Sequence, residues 1–431
     1  MLSSVACAAG ATRIARTGLS LLGAALLLAA CAAGGGSGSR VGQTEGAGAA
    51  PRIGSGVFSE PARGVAPAIG RGVPVEPGVG ATVALLAPVG DGKQPVRALA
   101  QGLANAAQLA LTDRADSGLT LRVYDTKGTP EGAAAAAQAA VADRAAVILG
   151  PLYSGSVSAA KPIAASAGLT MIAFSSDSAV AGGGVFLNSF LLEGEIDRVV
   201  SYAANGGVRN LGALTRQTQT GDIALRAIQA AAARNGAQLA ASQSYQPGYE
   251  GIESGVQIYA ETHKSRAELD PIQGVVLVDR GWELQTLGAY LAFLDITQPD
   301  VRFLGASGWN SPETLRETAL RGGWFAAPDP RLQEAFAERY AAAFGAAPNP
   351  LAALSYDAAA AAAVLAVEAR GRGERFPFSV EAISDPAGFS GVSGAFRFRP
   401  DGLNDRGLAI LEVAEDGFRV IDPAPTSFAS F

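Results

Sequence analysis

Two rhythms of apolar positions run along most of the chain: short uninterrupted apolar runs, and longer stretches with a helical repeat. Residues 82–87 (TVALLA) are the first run, closed by Pro88 and suited to a strand buried on both faces. Residues 96–112 follow, with Leu99, Leu103, Ala107 and Leu111 at four-residue spacing, the stripe of a helix packed on one side. The unit repeats as strand 119–125, alanine-rich helix 131–143, strand 146–149, helix 157–167 and strand 169–174. A second series begins after residue 190, with strands at 210–215, 238–245, 274–278 and 301–305 and helices at 222–234, 252–263 and 284–294. Two late helices, 330–344 and 351–370, precede short strands at 395–399, 409–413 and 418–421. Such alternation predicts an α/β protein with parallel sheets flanked by helices, and two series predict two similar lobes.

The first eighty residues follow neither rhythm. Arg13 and Arg16 precede an apolar run at 18–30, the size of an export-signal core and shorter than the roughly 20 residues of a membrane span. The run ends Leu28-Ala29-Ala30-Cys31, which resembles the bacterial lipobox. That resemblance implies a signal peptide over 1–30, lipidation of Cys31 and a membrane attachment through acyl chains. Ala32 stands where an aspartate would resemble an inner-membrane retention signal, so the periplasmic face of the outer membrane is favoured over the inner. Residues 31–80 are rich in glycine, alanine and proline and are read as a flexible tether.

Composition narrows the functional classes. With 48% hydrophobic residues in 431, the chain has ample material for a sizeable core. Its formal net charge of -6, with no basic stripe, argues against nucleic acid as a partner. Cys7 and Cys31 are the only cysteines, so the body of the chain can form neither a disulfide nor a zinc–cysteine site. The sole histidine, His263, is placed on the surface at the end of a helix. No nucleophile elbow, phosphate loop or dinucleotide fingerprint follows a strand. Ser158 and Lys161 spell S-x-x-K, but Pro162 follows at once and the companion K-T-G is missing. The chain is therefore expected to be no enzyme and to carry no metal or cofactor.

Several segments resemble Leu/Ile/Val-type periplasmic binding proteins. They are Ile148-Leu149-Gly150-Pro151-Leu152-Tyr153-Ser154, then Ala160-Lys161-Pro162, and Gly168 through Ile172. Ser355-Tyr356-Asp357-Ala358 and Gly391-Val392-Ser393-Gly394 before Phe396-Arg397-Phe398 continue the likeness, which covers about 82–421. The resemblance implies two lobes joined by three crossings, near 184–190, 322–326 and 389–394. Lobe 1 would then comprise about 82–189 and 326–388, and lobe 2 about 190–325 and 389–421.

In open parallel sheets ligands sit beyond the carboxyl ends of the strands. That rule nominates Ser154 and Ser156 after the third strand, entering a helix whose amides favour a carboxylate. It adds Ser175, Ser176 and Asp177 in the first lobe, and Arg216, Asp279, Arg280 and Trp309 in the second. The stretch Phe174 to Ser178, followed by Gly182 to Phe186, is more similar to lipoproteins of this fold that activate penicillin-binding proteins. That likeness puts regulation of peptidoglycan synthesis first, with a penicillin-binding protein as partner. Capture of an amino-acid-like ligand for an ABC permease is the alternative. An acid at Asp177 would repel a ligand carboxylate, which counts against α-amino acids.

Overall fold

The computed structural model describes residues 72–76 and 80–428. The signal segment, Cys31 and most of the tether lie outside the described residues. The first lobe opens with β1 (Ala81–Ala87), α1 (Gln94–Asp113), β2 (Leu119–Asp125) and α2 (Pro130–Ala142). It continues with β3 (Val147–Leu149), α3 (Ser154–Ser166), β4 (Met171–Ala173) and β5 (Val185–Leu187). These strands form one parallel sheet in the order β2-β1-β3-β4-β5. Successive residues of a strand face opposite sides. Val83, Leu85 and Ala87 accordingly enter the core beneath α1, while Ala84 and Leu86 enter the one beneath α2 and α3. That is why β1 is apolar without interruption from Val83 to Ala87.

The second lobe repeats the plan with α4 (Leu192–Asn205), β6 (Asn210–Arg216), α5 (Gln219–Arg234), β7 (Gln238–Tyr245) and α6 (Tyr249–Arg266). Next come β8 (Gly274–Leu277), α7 (Gly281–Phe293), β9 (Arg302–Gly305) and β10 (Trp324–Ala327). Strands β6 to β10 lie in the order β7-β6-β8-β9-β10, the same permutation as in the first lobe. The expectation of two similar α/β lobes holds at the level of strand order.

The remaining chain returns to the first lobe as α8 (Pro330–Phe344), α9 (Ala352–Arg372) and α10 (Val380–Ile383). Asp329 caps α8, accepting from the Arg331 amide at 3.0 Å, and Gly345 at φ 70° ends it. Helix α9 is apolar and long enough to cross a membrane by length and composition, yet it is mostly buried against α1 and the first sheet. An alanine-rich helix that is apolar all round fits such an interior position.

A three-stranded antiparallel sheet follows: β11 (Phe389–Gly391), β12 (Gly394–Phe398) and β13 (Asn404–Arg406). Phe396 and Phe398 belong to the first lobe's core, with Phe398 5.6 Å from Phe186. Only then do β14 (Ala409–Val413) and β15 (Phe418–Asp422) join the second sheet, both antiparallel, beside β10. Residues 389–406 thus pack with the first lobe, and the third crossing lies at Gly407 and Leu408 rather than at 389–394. Likewise β10 pairs with β9, so the chain leaves the second lobe after Ala327 and not before it.

Residues 72–76, expected to belong to a flexible tether, pack on the first lobe. The Val75 amide donates to the Arg375 carbonyl at 2.8 Å, Glu76 pairs with Arg375, and Val73 and Val75 pack on the first lobe's cores.

Candidate functional site

Both sheets change winding direction between their first and third strands, which is where a ligand crevice is expected beyond the carboxyl ends. In the first lobe that crevice is a cleft of ≈ 590 Å³. Leu152, Tyr153 and Ser154 enter it after β3, Phe174, Ser175, Ser176 and Asp177 after β4, and Ser189 and Phe190 after β5. Leu99 and Leu351 complete an apolar floor. Every lining residue comes from the first lobe or from the crossing that leaves it, so the second lobe leaves this wall open.

The polar groups of the wall are partly committed. Tyr153, not Ser154, occupies the cap position of α3, and the Ser154 hydroxyl makes no hydrogen bond among the described residues. Ser175 accepts the Asp177 amide at 3.2 Å, and Asp177 accepts the Ala179 amide at 3.1 Å through Oδ1. Oδ2 of Asp177 carries no bond to another described residue. Four of the nominated residues therefore line one cavity: Ser154, Ser175, Ser176 and Asp177.

Ser156 does not join them. It is buried, and its hydroxyl donates weakly to the Thr129 carbonyl at 3.4 Å. Two residues along a helix turn a side chain to nearly the opposite face, so Ser154 and Ser156 could not both meet the cleft. Trp309 is likewise a correction: fully buried, it donates from Nε1 to the Leu277 carbonyl at 2.9 Å and packs 6.1 Å from Phe325. Glycine makes its place, because a Cβ on Gly305 would lie 2.2 Å from the indole.

On the second lobe Arg216, at the end of β6, pairs with Asp279 at 2.5 Å and with Glu283 at 3.3 Å. The Tyr245 hydroxyl donates to the other Asp279 oxygen. Burial pushes the Asp279 carboxyl up, opposed by the Tyr245 hydroxyl and the Arg216 guanidinium, and burial also raises Tyr245. These charges satisfy one another. Arg280 is exposed at the start of α7 and lines no part of the cleft.

Two polar features escaped the sequence. Glu195, in the first turn of α4, is buried and accepts from the Ser307 hydroxyl at 2.5 Å and its amide at 3.1 Å. Burial pushes this carboxyl up to about 6, against the Ser307 bonds that favour its charge. At the crossings, Arg406 and Asp357 form a buried pair at 3.4 Å, their side chains 3% and 0% exposed. Arg406 also reaches the Ser393 hydroxyl at 2.8 Å, the Ser189 carbonyl at 3.2 Å and Asn188, and its guanidinium lies 4.8 Å over Phe190. A lone arginine near a β-strand end carries no sequence signal for such a role.

Lys161 of the S-x-x-K stretch donates to the Val180 and Ala181 carbonyls at 3.2 and 3.0 Å, which fixes α3 to the loop after β4. His263, expected on the surface, is half-buried with its ring 6.3 Å from Tyr259. Among the described residues no group of three His, Cys, Asp or Glu side chains is placed to hold a metal ion.

A model of the periplasmic binding protein family matches residues 82–418. The chain belongs to that family. No curated protein sequence matches it significantly. Among solved structures, one from Rhodospirillum rubrum described as a branched-chain amino acid ABC transporter superposes with TM-score 0.68 at 19% identity, covering 80% of this chain and 100% of that one. A branched-chain amino acid ABC transporter periplasmic ligand-binding protein from Burkholderia xenovorans gives 0.61 at 16%, over 80% and 96%. An ABC transporter solute-binding protein from Rhodopseudomonas palustris, in complex with 3,4-dihydroxybenzoic acid, gives 0.54 at 17%, over 80% and 98%. At these identities the likeness establishes the two-lobed fold. Family and neighbours are binding proteins with an extracytoplasmic place of work.

Proposed function

We propose that this periplasmic binding protein captures a small solute in the first-lobe cleft and presents it to an ABC permease. The observation that carries the reading is the cleft itself. One cavity of ≈ 590 Å³ gathers Ser154, Ser175, Ser176 and Asp177 at the strand ends above Leu99, Phe174, Phe190 and Leu351. Such a wall suits a ligand with an apolar body and a polar head. The free oxygen of Asp177 favours a head that carries an ammonium or donates from hydroxyls, while the α3 amides favour a carboxylate beside it. Solved neighbours of this fold, some named for branched-chain amino acid transport and another holding 3,4-dihydroxybenzoic acid, support the class of ligand.

A second reading rests on a different observation. The second lobe spends Arg216, Asp279 and Glu283 on one another, so that wall offers little to a solute. This favours a domain that works by binding a protein, as an activator of a penicillin-binding protein would. Lipidation at Cys31 and the Gly-rich segment after it suit either role, since both need a domain held near a membrane.

Native mass spectrometry of the chain lacking residues 1–31 tests the choice. A retained mass, or one gained from a panel of branched-chain amino acids and aromatic acids, supports solute capture. An empty domain that gains none of them, but retains a penicillin-binding protein in a pull-down, overturns it for the second reading.

A further inference from the structure

Helix α7 is apolar on two opposite faces. Leu284, Leu287, Gly288 and Leu291 are buried in the second lobe. On the other side Trp282, Thr286, Ala289 and Phe293 stand at successive turns, and Trp282 and Phe293 are 51% and 80% exposed. The Thr286 hydroxyl donates to the Trp282 carbonyl at 2.8 Å, so the one polar group in this stripe is already satisfied within the helix. Spacing of i, i+4, i+7 and i+11 keeps the four in a narrow line facing away from the core. Arg280 is exposed just before the helix and Asp295 just after it, and neither makes an ion pair among the described residues.

We propose that this line is the two-fold contact of a homodimer, α7 packing antiparallel against α7 of a second copy. The positions themselves point to a second copy rather than to another protein. Arg280 with Asp295, Trp282 with Phe293, and Thr286 with Ala289 are all symmetric about one point, between Leu287 and Gly288. An antiparallel pair crossing at that point brings Arg280 of each copy to Asp295 of the other and each indole to the opposite phenyl ring. The small Thr286 and Ala289 meet at the centre, where they let the helix axes approach to about 8–10 Å. A closed two-fold contact needs a surface that complements itself, and here both halves of the ion pair and of the aromatic pair lie on one helix. Tryptophan and arginine are also the side chains that anchor interfaces most often.

One helix per copy is a small interface, below about 1,200 Å² in total, so the dimer belongs to the weak class with Kd on the order of micromolar. Sedimentation velocity of the full chain at rising concentration reads it directly. A reversible monomer–dimer equilibrium is expected, and Phe293→Glu weakens it at least about tenfold because the change occurs twice in each dimer. Arg280→Asp alone and Asp295→Arg alone each weaken association, and the two combined in one chain restore it. A chain that stays monomeric at about 100 times the expected Kd overturns the dimer. Association untouched by Phe293→Glu moves it off α7, and a double charge swap that fails to restore it overturns the antiparallel register. Circular dichroism checks that each variant is folded. Should Phe293→Glu fail to fold, the charge-swap series, which leaves the apolar stripe intact, decides alone.

Discussion

Asp177 faces the cleft with one oxygen bound to the Ala179 amide and the other without a bond to a described residue. If the proposed solute occupies this cleft, the charge of Asp177 meets the ligand's head group. If the head is an ammonium, Asp177→Asn removes a charge-assisted bond worth about 1.5–3 kcal/mol and lowers affinity roughly tenfold or more. If the head is a lone carboxylate, the same change removes a repulsion and affinity rises, which isothermal titration separates at once. Glu195 makes a second residue-scale prediction. Its folded pKa of about 6 lies above the ordinary 4.5, so the folded state binds this proton more tightly than the unfolded one. Stability contributed here falls as pH rises from 4.5 through 6, by about 2 kcal/mol, and returns on acidification. Glu195→Gln cannot titrate, and urea melts at pH 4.5 and 7 should show the variant lacking that part of the wild-type slope; equal slopes would refute the assignment. Trp309 shows where residue-scale reading fails. A tryptophan after a strand end looks like a ligand contact in the sequence, and only the space left by Gly305 reveals that it turns inward. Trp309→Ala should accordingly cost about 3–5 kcal/mol in chemical denaturation and leave the cleft intact.

Elements were legible where a period had room to show itself. β1 and α1, or β6 and α5, carry several repeats of their pattern and were placed from the sequence to within a few residues. β5 (VFL) follows three glycines and β10 (WFAA) follows two, and neither stood out from the loop before it. The misplaced third crossing has another cause. An apolar strand such as β12 does not say which core it fills, and Phe396 and Phe398 fill the first. What holds that sheet at the junction is polar: Asp357 of α9 accepts the Val392 amide at 2.7 Å and faces Arg406 of β13. Removing one member of a buried pair leaves the other charge without compensation, which costs about 3–5 kcal/mol. Asp357→Asn should lose that much in urea denaturation. Glu368→Gln, breaking the exposed Arg372 pair at 3.6 Å, should change stability by less than about 1 kcal/mol. Comparable losses in the two variants would show that burial at the junction adds nothing.

At the scale of the molecule, each lobe has its own pair of cores, and the crossings bring them together around Phe190 and Arg406. Phe190 packs against a core of each lobe, so the first crossing is a shared wall as well as a connection. The candidate site sits wholly on one side of it, with every lining residue in the first lobe or at this crossing. A solute at 100 times its Kd stabilises whatever unit holds the site by about 2.7 kcal/mol. Calorimetry can therefore read both function and coupling. If the lobes unfold together through the Arg406 network, the correct solute raises a single transition by a few degrees. In Asp357→Asn, where the junction is weakened, the wild-type transition should split and only the first-lobe part should follow the ligand. A ligand-driven rise of both parts in that variant would mean that the solute bridges the lobes and that the second wall, despite its self-paired charges, contributes contacts. A melt unmoved by any saturating solute, yet raised by a penicillin-binding protein, would instead assign the stabilising contact to a protein surface.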